Sequence, residues 1–229
     1  MTTMTLYSGP LSMFGAKVHI AALEKALPIE VIMVPFTDDH RYDPKHPEVL
    51  RINPKRQVPV LIHGNVEIFD STQIFEYFEH LKPQPPLWPP APAARANARL
   101  LEHKSDEVFF PHVIRLMGLQ DQLSDPKAEE AIAQAQAFYA QLDTLLARSD
   151  YLAGDYSYAD IAFYMAQLFA ARKGAPMTAA TPNLLAWRDR LTARPAVRHL
   201  VLQYADTLTR LNLPIPHFIE QVARSQRLT

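Results

Sequence analysis

The sequence predicts a compact α/β domain joined to an all-helical one. Three observations carry this: β-branched runs alternate with helical patterns as far as Lys82, six prolines crowd the stretch from Lys82 to Pro92, and every pattern beyond is helical. Prolines at that density suit neither a helix interior nor a central strand, because each fixes φ and removes a backbone donor. They make a stiff, extended connector. The division expected is 1–82, a linker over 83–92, and 93–229.

In order, Thr5-Leu6-Tyr7 is strand-like, and Lys17 to Leu27 is helical with an apolar face of Val18, Ala21, Ala22 and Leu23. Ile29 to Val34 is a β-branched strand. A polar stretch, Thr37 to His46, leads to a short helix over Pro47 to Ile52. Val58 to Ile62 and Val66 to Phe69 flank the turn residues His63-Gly64-Asn65 and so form a hairpin. Asp70-Ser71 opens an amphipathic helix that runs to about His80. The order β-α-β-α-β-β-α gives an α/β unit whose hairpin adds antiparallel pairs to the sheet.

Beyond the connector, a long helix is expected from Ala93 to about Gln120, bent near Pro111. Lys127 to Arg148 repeats apolar residues at the helical period, among them Ile132, Ala135, Phe138, Tyr139 and Leu142. Ser157-Tyr-Ala-Asp160 matches a capping box, although Asp is shorter than the usual Glu or Gln. The helix it starts, Tyr158 to Ala171, is apolar nearly all round and should be buried. Thr181-Pro182 opens another helix ending at Arg194-Pro195, and a further one spans Ala196 to about Leu211. The tail from Leu213 to Thr229 is Pro-rich and then helical, with no assigned role.

Composition narrows the function classes. A net charge of −1 offers no basic footprint for nucleic acid. The longest apolar stretch, Ile161 to Ala171, is too short to span a bilayer. Met1 leads directly into strand-like residues without a signal-peptide pattern, so a cytoplasmic protein is expected. The absence of cysteine excludes disulfides, thiolate metal sites and any mechanism using a protein thiol. Nine histidines show no metal-ligand spacing, and no metal is expected; His103 and His112, nine apart on one helix, read as surface or pocket-wall residues.

The stretch Asn53 to Ser71 holds the most chemistry. Its hairpin delivers a carboxylate, Asp70, and a hydroxyl, Ser71, to a helix N-terminus, where unpaired N–H groups favour an anion. Pro59 donates no ladder hydrogen bond and is a candidate cis residue, which would expose the Val58 backbone to a peptide-like ligand pairing as an added strand.

Three motifs together resemble the cytosolic glutathione transferase family over essentially the whole chain: Gln57-Val58-Pro59 followed by Asp70-Ser71, the loop Ser8-Gly-Pro-Leu-Ser12 before Lys17-Val18, and Gly154 to Asp160. The first loop is similar to the serine-type pattern of bacterial, phi, theta and zeta relatives. The resemblance implies a thioredoxin-like domain plus an all-helical domain, a homodimer, and glutathione as co-substrate. It further implies that Val58 holds the cysteinyl backbone with Pro59 cis, that Asp70 meets the γ-glutamyl ammonium, and that Ser71 meets the γ-glutamyl carboxylate. Gln57 would bind near the same end, and Lys45, in Pro44-Lys-His-Pro-Glu48, would meet the glycyl carboxylate. Arg56 stands where relatives often have Gly; a positive φ there would be strained, so either the loop differs here or Arg56 supplies a second cation near the ligand.

Glutathione is reactive as a thiolate, which a donated hydroxyl hydrogen bond stabilises. Ser12 matches the serine-type donor best, with Tyr7 as rival and Ser8 behind it. Met13, Phe14, Phe109, His112, Arg115 and Leu116 are candidates for the wall of a pocket for the second substrate. The expected reaction is conjugation to a small hydrophobic electrophile, with isomerisation or peroxide reduction open at the same site. A glutathione-binding or interaction protein without turnover is the alternative.

Overall fold

The computed structural model describes residues 3–37, 39–43 and 45–226. Their contacts divide the chain into two compact units. One comprises residues 1–85 together with 196–229, the other residues 86–195. The last two helices therefore group with the first unit, whereas the sequence reading assigned all of 93–229 to the helical domain.

The first unit holds a four-stranded sheet in the order β2-β1-β3-β4. Its strands are β1 (Met4–Ser8), β2 (Ile29–Met33), β3 (Val60–His63) and β4 (Val66–Phe69). β1 runs parallel to β2 and antiparallel to β3, and β3–β4 is the antiparallel hairpin. Gly64, with φ of 63°, begins its two-residue loop, a position where a side chain is disfavoured. Alternation along β1 sends side chains to two layers. Met4 and Leu6 pack with Val18, Ala22, Ile74 and Phe78 of α1 (Met13–Glu24) and α3 (Ser71–Leu81). Tyr7 faces the opposite layer with Val34, Val49 and Val60, covered by α2 (Pro47–Ile52).

Two charged groups pin these elements. Lys25, fully buried at the end of α1, donates to the carbonyls of Lys82 and Pro85 at 2.8 Å each and pairs with Glu79 at 2.7 Å. All three ammonium donors are thus engaged, which a buried cation requires. Arg51 of α2 bridges Glu48 and, through two nitrogens at 2.9 and 2.6 Å, Glu67 of β4. The first unit is completed by α9 (Pro195–Arg210) and α10 (His217–Gln226). Val197, Leu200, Val201 and Leu208 of α9 are buried, as is Ile219 of α10.

The second unit contains α4 (Pro92–Lys104), a π-helical turn (Ser105–Phe109), α5 (Phe110–Met117), α6 (Pro126–Leu146), α7 (Tyr158–Arg172) and α8 (Pro182–Thr192). The long helix expected over 93–120 and bent near Pro111 is one continuous helical run over 92–117, with its π turn just before Pro111. Pro111 has no N–H to reach four residues back, and the wider turn before it lets Phe110 N–H bond Ser105 instead. The core of this unit is aromatic, with Phe109 packed on Phe138, Tyr139 and Phe163 at 5.1–5.3 Å between ring centroids. The Ser157–Asp160 capping box forms despite the short Asp side chain. Asp160 is fully buried and accepts from the Leu152 and Ser157 N–H groups, the Ser157 hydroxyl and Trp187 Nε1–H, at 2.9–3.2 Å. Burial holds its carboxyl above the ordinary carboxylate range, and these four donors offset only part of that rise. The family's fold is present: a thioredoxin-like sheet domain and a helical domain.

Candidate active site

The sheet register gathers the hairpin and the first loop at one end. Tyr7 pairs with Val60, and Val60 pairs with Phe69. Continuing those ladders places Gly9, Val58–Pro59 and Asp70–Ser71 together just beyond the last pairs. The Val58–Pro59 peptide is cis, and the Val58 main chain makes no hydrogen bond among the described residues. The loop before it is organised by Asn53, a buried side chain to which sequence reading gave no role. Asn53 Nδ2 donates to the Gln57 carbonyl at 2.6 Å, Oδ1 accepts from Lys55 N–H, and its carbonyl accepts from Arg56 N–H. Arg56 has φ of 57°, the strained conformation its position suggested, and both Arg56 and Gln57 are exposed.

Asp70 also has positive φ, 77°, and caps α3 by accepting from Thr72 and Gln73 N–H at 3.0 and 3.3 Å. Two of the first-turn donors expected for a ligand anion are therefore used by the chain itself. Ser71 is buried at the first helical position. Lys45 forms an ion pair with Asp43 at 3.2 Å, so a ligand carboxylate there competes with an internal one. His46, unremarked in the sequence, caps α2 through Nδ1 and lies 4.7 Å from the Tyr7 ring.

Ser12 is the N-cap of α1, which starts four residues earlier than its apolar pattern suggested. Ser12 Oγ accepts from Gly15 N–H at 3.1 Å. A hydroxyl that accepts one bond keeps its own proton to donate, and the helix N-terminus beside it favours negative charge. Gly15 has a steric reason to be glycine: a Cβ there would overlap Ser8 Oγ and lie 3.3 Å from Ser12 Oγ. Ser8 and Ser12 hydroxyls thus border one small space. Tyr7 is on the other face of the sheet, where burial, then Glu48 and Glu30, hold its hydroxyl above the ordinary range. Tyr42 is a further residue the sequence did not flag. Its hydroxyl accepts from Leu11 N–H at 3.3 Å, and its ring occupies the space a Cβ at Gly9 would need.

The pocket-wall candidates divide. Met13 is almost fully buried, and Phe14 is half-buried with the Lys17 ammonium 5.3 Å from its ring centroid. Phe109 and Leu116 are fully buried in the second unit and so pack rather than line a surface. That is a correction: the helical period marks apolar faces without saying which part of a face meets solvent. Arg115 is exposed, and His112 borders a cleft of about 140 Å³ with Val108 and Phe138. A cleft of about 530 Å³ within the first unit instead touches Ser8, Gly9 and Pro10, the loop that leads to Ser12. No group of three or more potential metal ligands occurs among the described residues, and no described helix is long and apolar enough to cross a membrane.

Comparisons with known proteins bear on the family and the fold. Residues 6–86 match the glutathione S-transferase N-terminal domain model, and residues 106–195 match the C-terminal domain model. Glutathione S-transferase GstB of Escherichia coli is 30% identical, over 87% of this chain and 98% of that protein. A stringent starvation protein A homolog of Coxiella burnetii is 34% identical, over 47% of this chain and 48% of its own length. The structure of FzlA from C. crescentus superposes with a TM-score of 0.77 at 26% identity, covering 87% of this chain and 92% of that one. The chain belongs to the glutathione S-transferase family, whose members use glutathione as co-substrate.

Proposed function

We propose that the protein is a transferase that joins the glutathione sulfur to small hydrophobic electrophiles. The observation that supports this most is the Ser12 hydroxyl at the start of α1, satisfied as an acceptor by Gly15 N–H and free to donate at the end of the sheet where Val58 and Asp70 also lie. The thiol proton passes to solvent. The thiolate, stabilised by Ser12 and the α1 dipole, attacks the electrophilic carbon, a C–S bond forms, and the leaving group departs with its electron pair. Val58 pairs its main chain with the cysteinyl unit, Pro59 shaping that segment, while Asp70 meets the γ-glutamyl ammonium. Ser71 meets the γ-glutamyl carboxylate, with Gln57 near that end. Lys45 exchanges Asp43 for the glycyl carboxylate. The reading includes a homodimer in the cytoplasm.

The test is retention on immobilised glutathione beside conjugation of glutathione to a chloro-nitroaromatic. Both are expected. Retention without conjugation of any electrophile establishes the second reading, a glutathione-binding or interaction protein. That reading draws on the similarity to a protein named for stringent starvation rather than for transfer. Failure of both refutes the two together.

A further inference from the structure

We propose that the electrophile is an oxygenated aromatic compound bound in the cleft of the first unit, its ring on an apolar wall and its hydroxyl or ether groups along a polar stripe of α9. The word electrophile rests on the transferase reading above; the ligand class rests on the cleft alone. The cleft measures about 530 Å³, the size that encloses one small organic molecule. One wall is apolar, formed by Pro10, Met33, Val34, Pro35 and Phe36. The other is α9, which presents Gln203, Asp206, Thr207 and Arg210. Their spacing of three, four and seven residues puts all four on one helix face.

The charges on that stripe cancel locally. The Arg210 guanidinium donates to Asp206 at 2.9 Å and to the Thr207 hydroxyl at 3.3 Å. What the stripe offers a ligand is therefore hydrogen bonding rather than net charge. Gln203 lines the same wall, with its amide turned into the protein rather than into the cleft. One end of its amide contacts the His199 ring at 3.0 Å, and its Oε1 is buried without a partner among the described residues. Whichever way the amide is turned, one end lacks a partner. A purely hydrocarbon ligand would strip water from this wall and return no hydrogen bond, which disfavours it. A neutral ring with oxygen substituents along one edge matches both walls.

The cleft also adjoins the reacting group. Ser8, Gly9 and Pro10 line it, and the Ser8 hydroxyl shares with Ser12 the space beside Gly15. A ligand on the apolar wall thus lies next to the loop from which the sulfur is handled.

The experiment measures calorimetric binding of naphthol and naphthalene, without glutathione, to the wild type and two variants, with thermal melts as the check on folding. Wild type should prefer naphthol about three- to tenfold, the worth of one net hydrogen bond. Gln203→Leu with Thr207→Val should abolish the preference. Met33→Trp, built from a position 40% exposed on the apolar wall, should weaken both ligands at least ~tenfold by filling the cleft. Equal wild-type affinities, a preference that survives the double variant, or unchanged binding in a folded Met33→Trp each overturn the inference. A clear naphthol preference with no conjugation of any electrophile, chloro-nitroaromatic or oxygenated aromatic, sinks the transferase reading while the ligand class stands.

Discussion

Replacing Ser12 by alanine separates two roles of one hydroxyl. As N-cap, Ser12 Oγ accepts Gly15 N–H at 3.1 Å, and losing such a cap costs about 1 kcal/mol of stability. In the proposed role of donor to a bound thiolate, the same group would make a hydrogen bond to a charged acceptor, worth about 1.5–3 kcal/mol. At about 1.4 kcal/mol per pKa unit, that is a depression of roughly 1–2 units from an unperturbed thiol near 8.5. The α1 dipole contributes about 0.3–1 kcal/mol more and survives in the alanine variant. The assay is a pH titration of the ultraviolet thiolate band of the glutathione complex, beside kcat/KM at neutral pH and a urea midpoint. Ser12→Ala should raise the titration midpoint by about 1–2 units and lower kcat/KM by ~10–100-fold, with glutathione affinity within about threefold. An unmoved midpoint in Ser12→Ala, with a raised one in Tyr7→Phe, would mean that the sulfur is reached from the opposite face of the sheet. Tyr7 rather than Ser12 would then be the thiolate donor.

Four further outcomes follow from local geometry. Arg56→Gly should stabilise the protein by about 0.5–1 kcal/mol in urea melts, because relief of the left-handed φ of 57° exceeds the added chain entropy. Its glutathione Kd should stay within about twofold, since the exposed cation is screened. Gly9→Ala sets a Cβ 2.5 Å from the Tyr42 ring and should cost about 1–3 kcal/mol, with a larger fall in turnover than Tyr42→Phe, which removes only the bond to Leu11 N–H. His19, whose pKa burial and then His199 lower to about 4, favours the neutral ring in the folded state. Stability is therefore whole above about pH 6.5 and declines by about 3 kcal/mol towards pH 4; His19→Phe should remove roughly one proton from that slope. Asp160→Ala strands the buried donors of Leu152, Ser157 and Trp187 and should cost about 3–5 kcal/mol by denaturant midpoint; a loss under about 1 kcal/mol refutes the network.

The fold was legible because its signals are periodic. Alternation along β1 and the hairpin and the helical repeats each mark an element through burial of one face. Ser157 and Asp160 were legible for another reason, since a capping box is local in sequence. The start of α1 was not, because Phe14 and Gly15 weaken the apolar pattern over its first turn, and only the cap geometry of Ser12 fixes it. Contacts that join distant segments were also hidden. Tyr42 on Leu11 is one, and Lys25 with the carbonyls of Lys82 and Pro85 is another. The site divides in the same way: the Asn53–Ser71 stretch is contiguous and readable. The wall proposed for the second substrate joins the end of β1, the end of β2 and α9, residues some 200 positions apart in the sequence.

In the proposed site, Asp70 would set the sign of the ligand end it meets. Its carboxylate caps α3 through Thr72 and Gln73 N–H, so the positive end of that helix is partly neutralised before any ligand arrives. A bare helix N-terminus would favour an anion alone. With Asp70 in place the same helix start carries a carboxylate beside the Ser71 position, and a group bearing both an ammonium and a carboxylate suits it better than either charge by itself. The conformation that brings this about is strained, with φ of 77° on a residue other than glycine, at a typical cost of about 1–3 kcal/mol. Glycine would relieve that strain and lose the carboxylate; asparagine would keep the cap and lose the charge. The two substitutions therefore divide the residue's work. Asp70→Asn should weaken glutathione binding by about tenfold with little change in stability, in line with one lost charge-assisted hydrogen bond. Equal affinities for the wild type and Asp70→Asn would show that the strain at Asp70 serves the helix rather than the ligand.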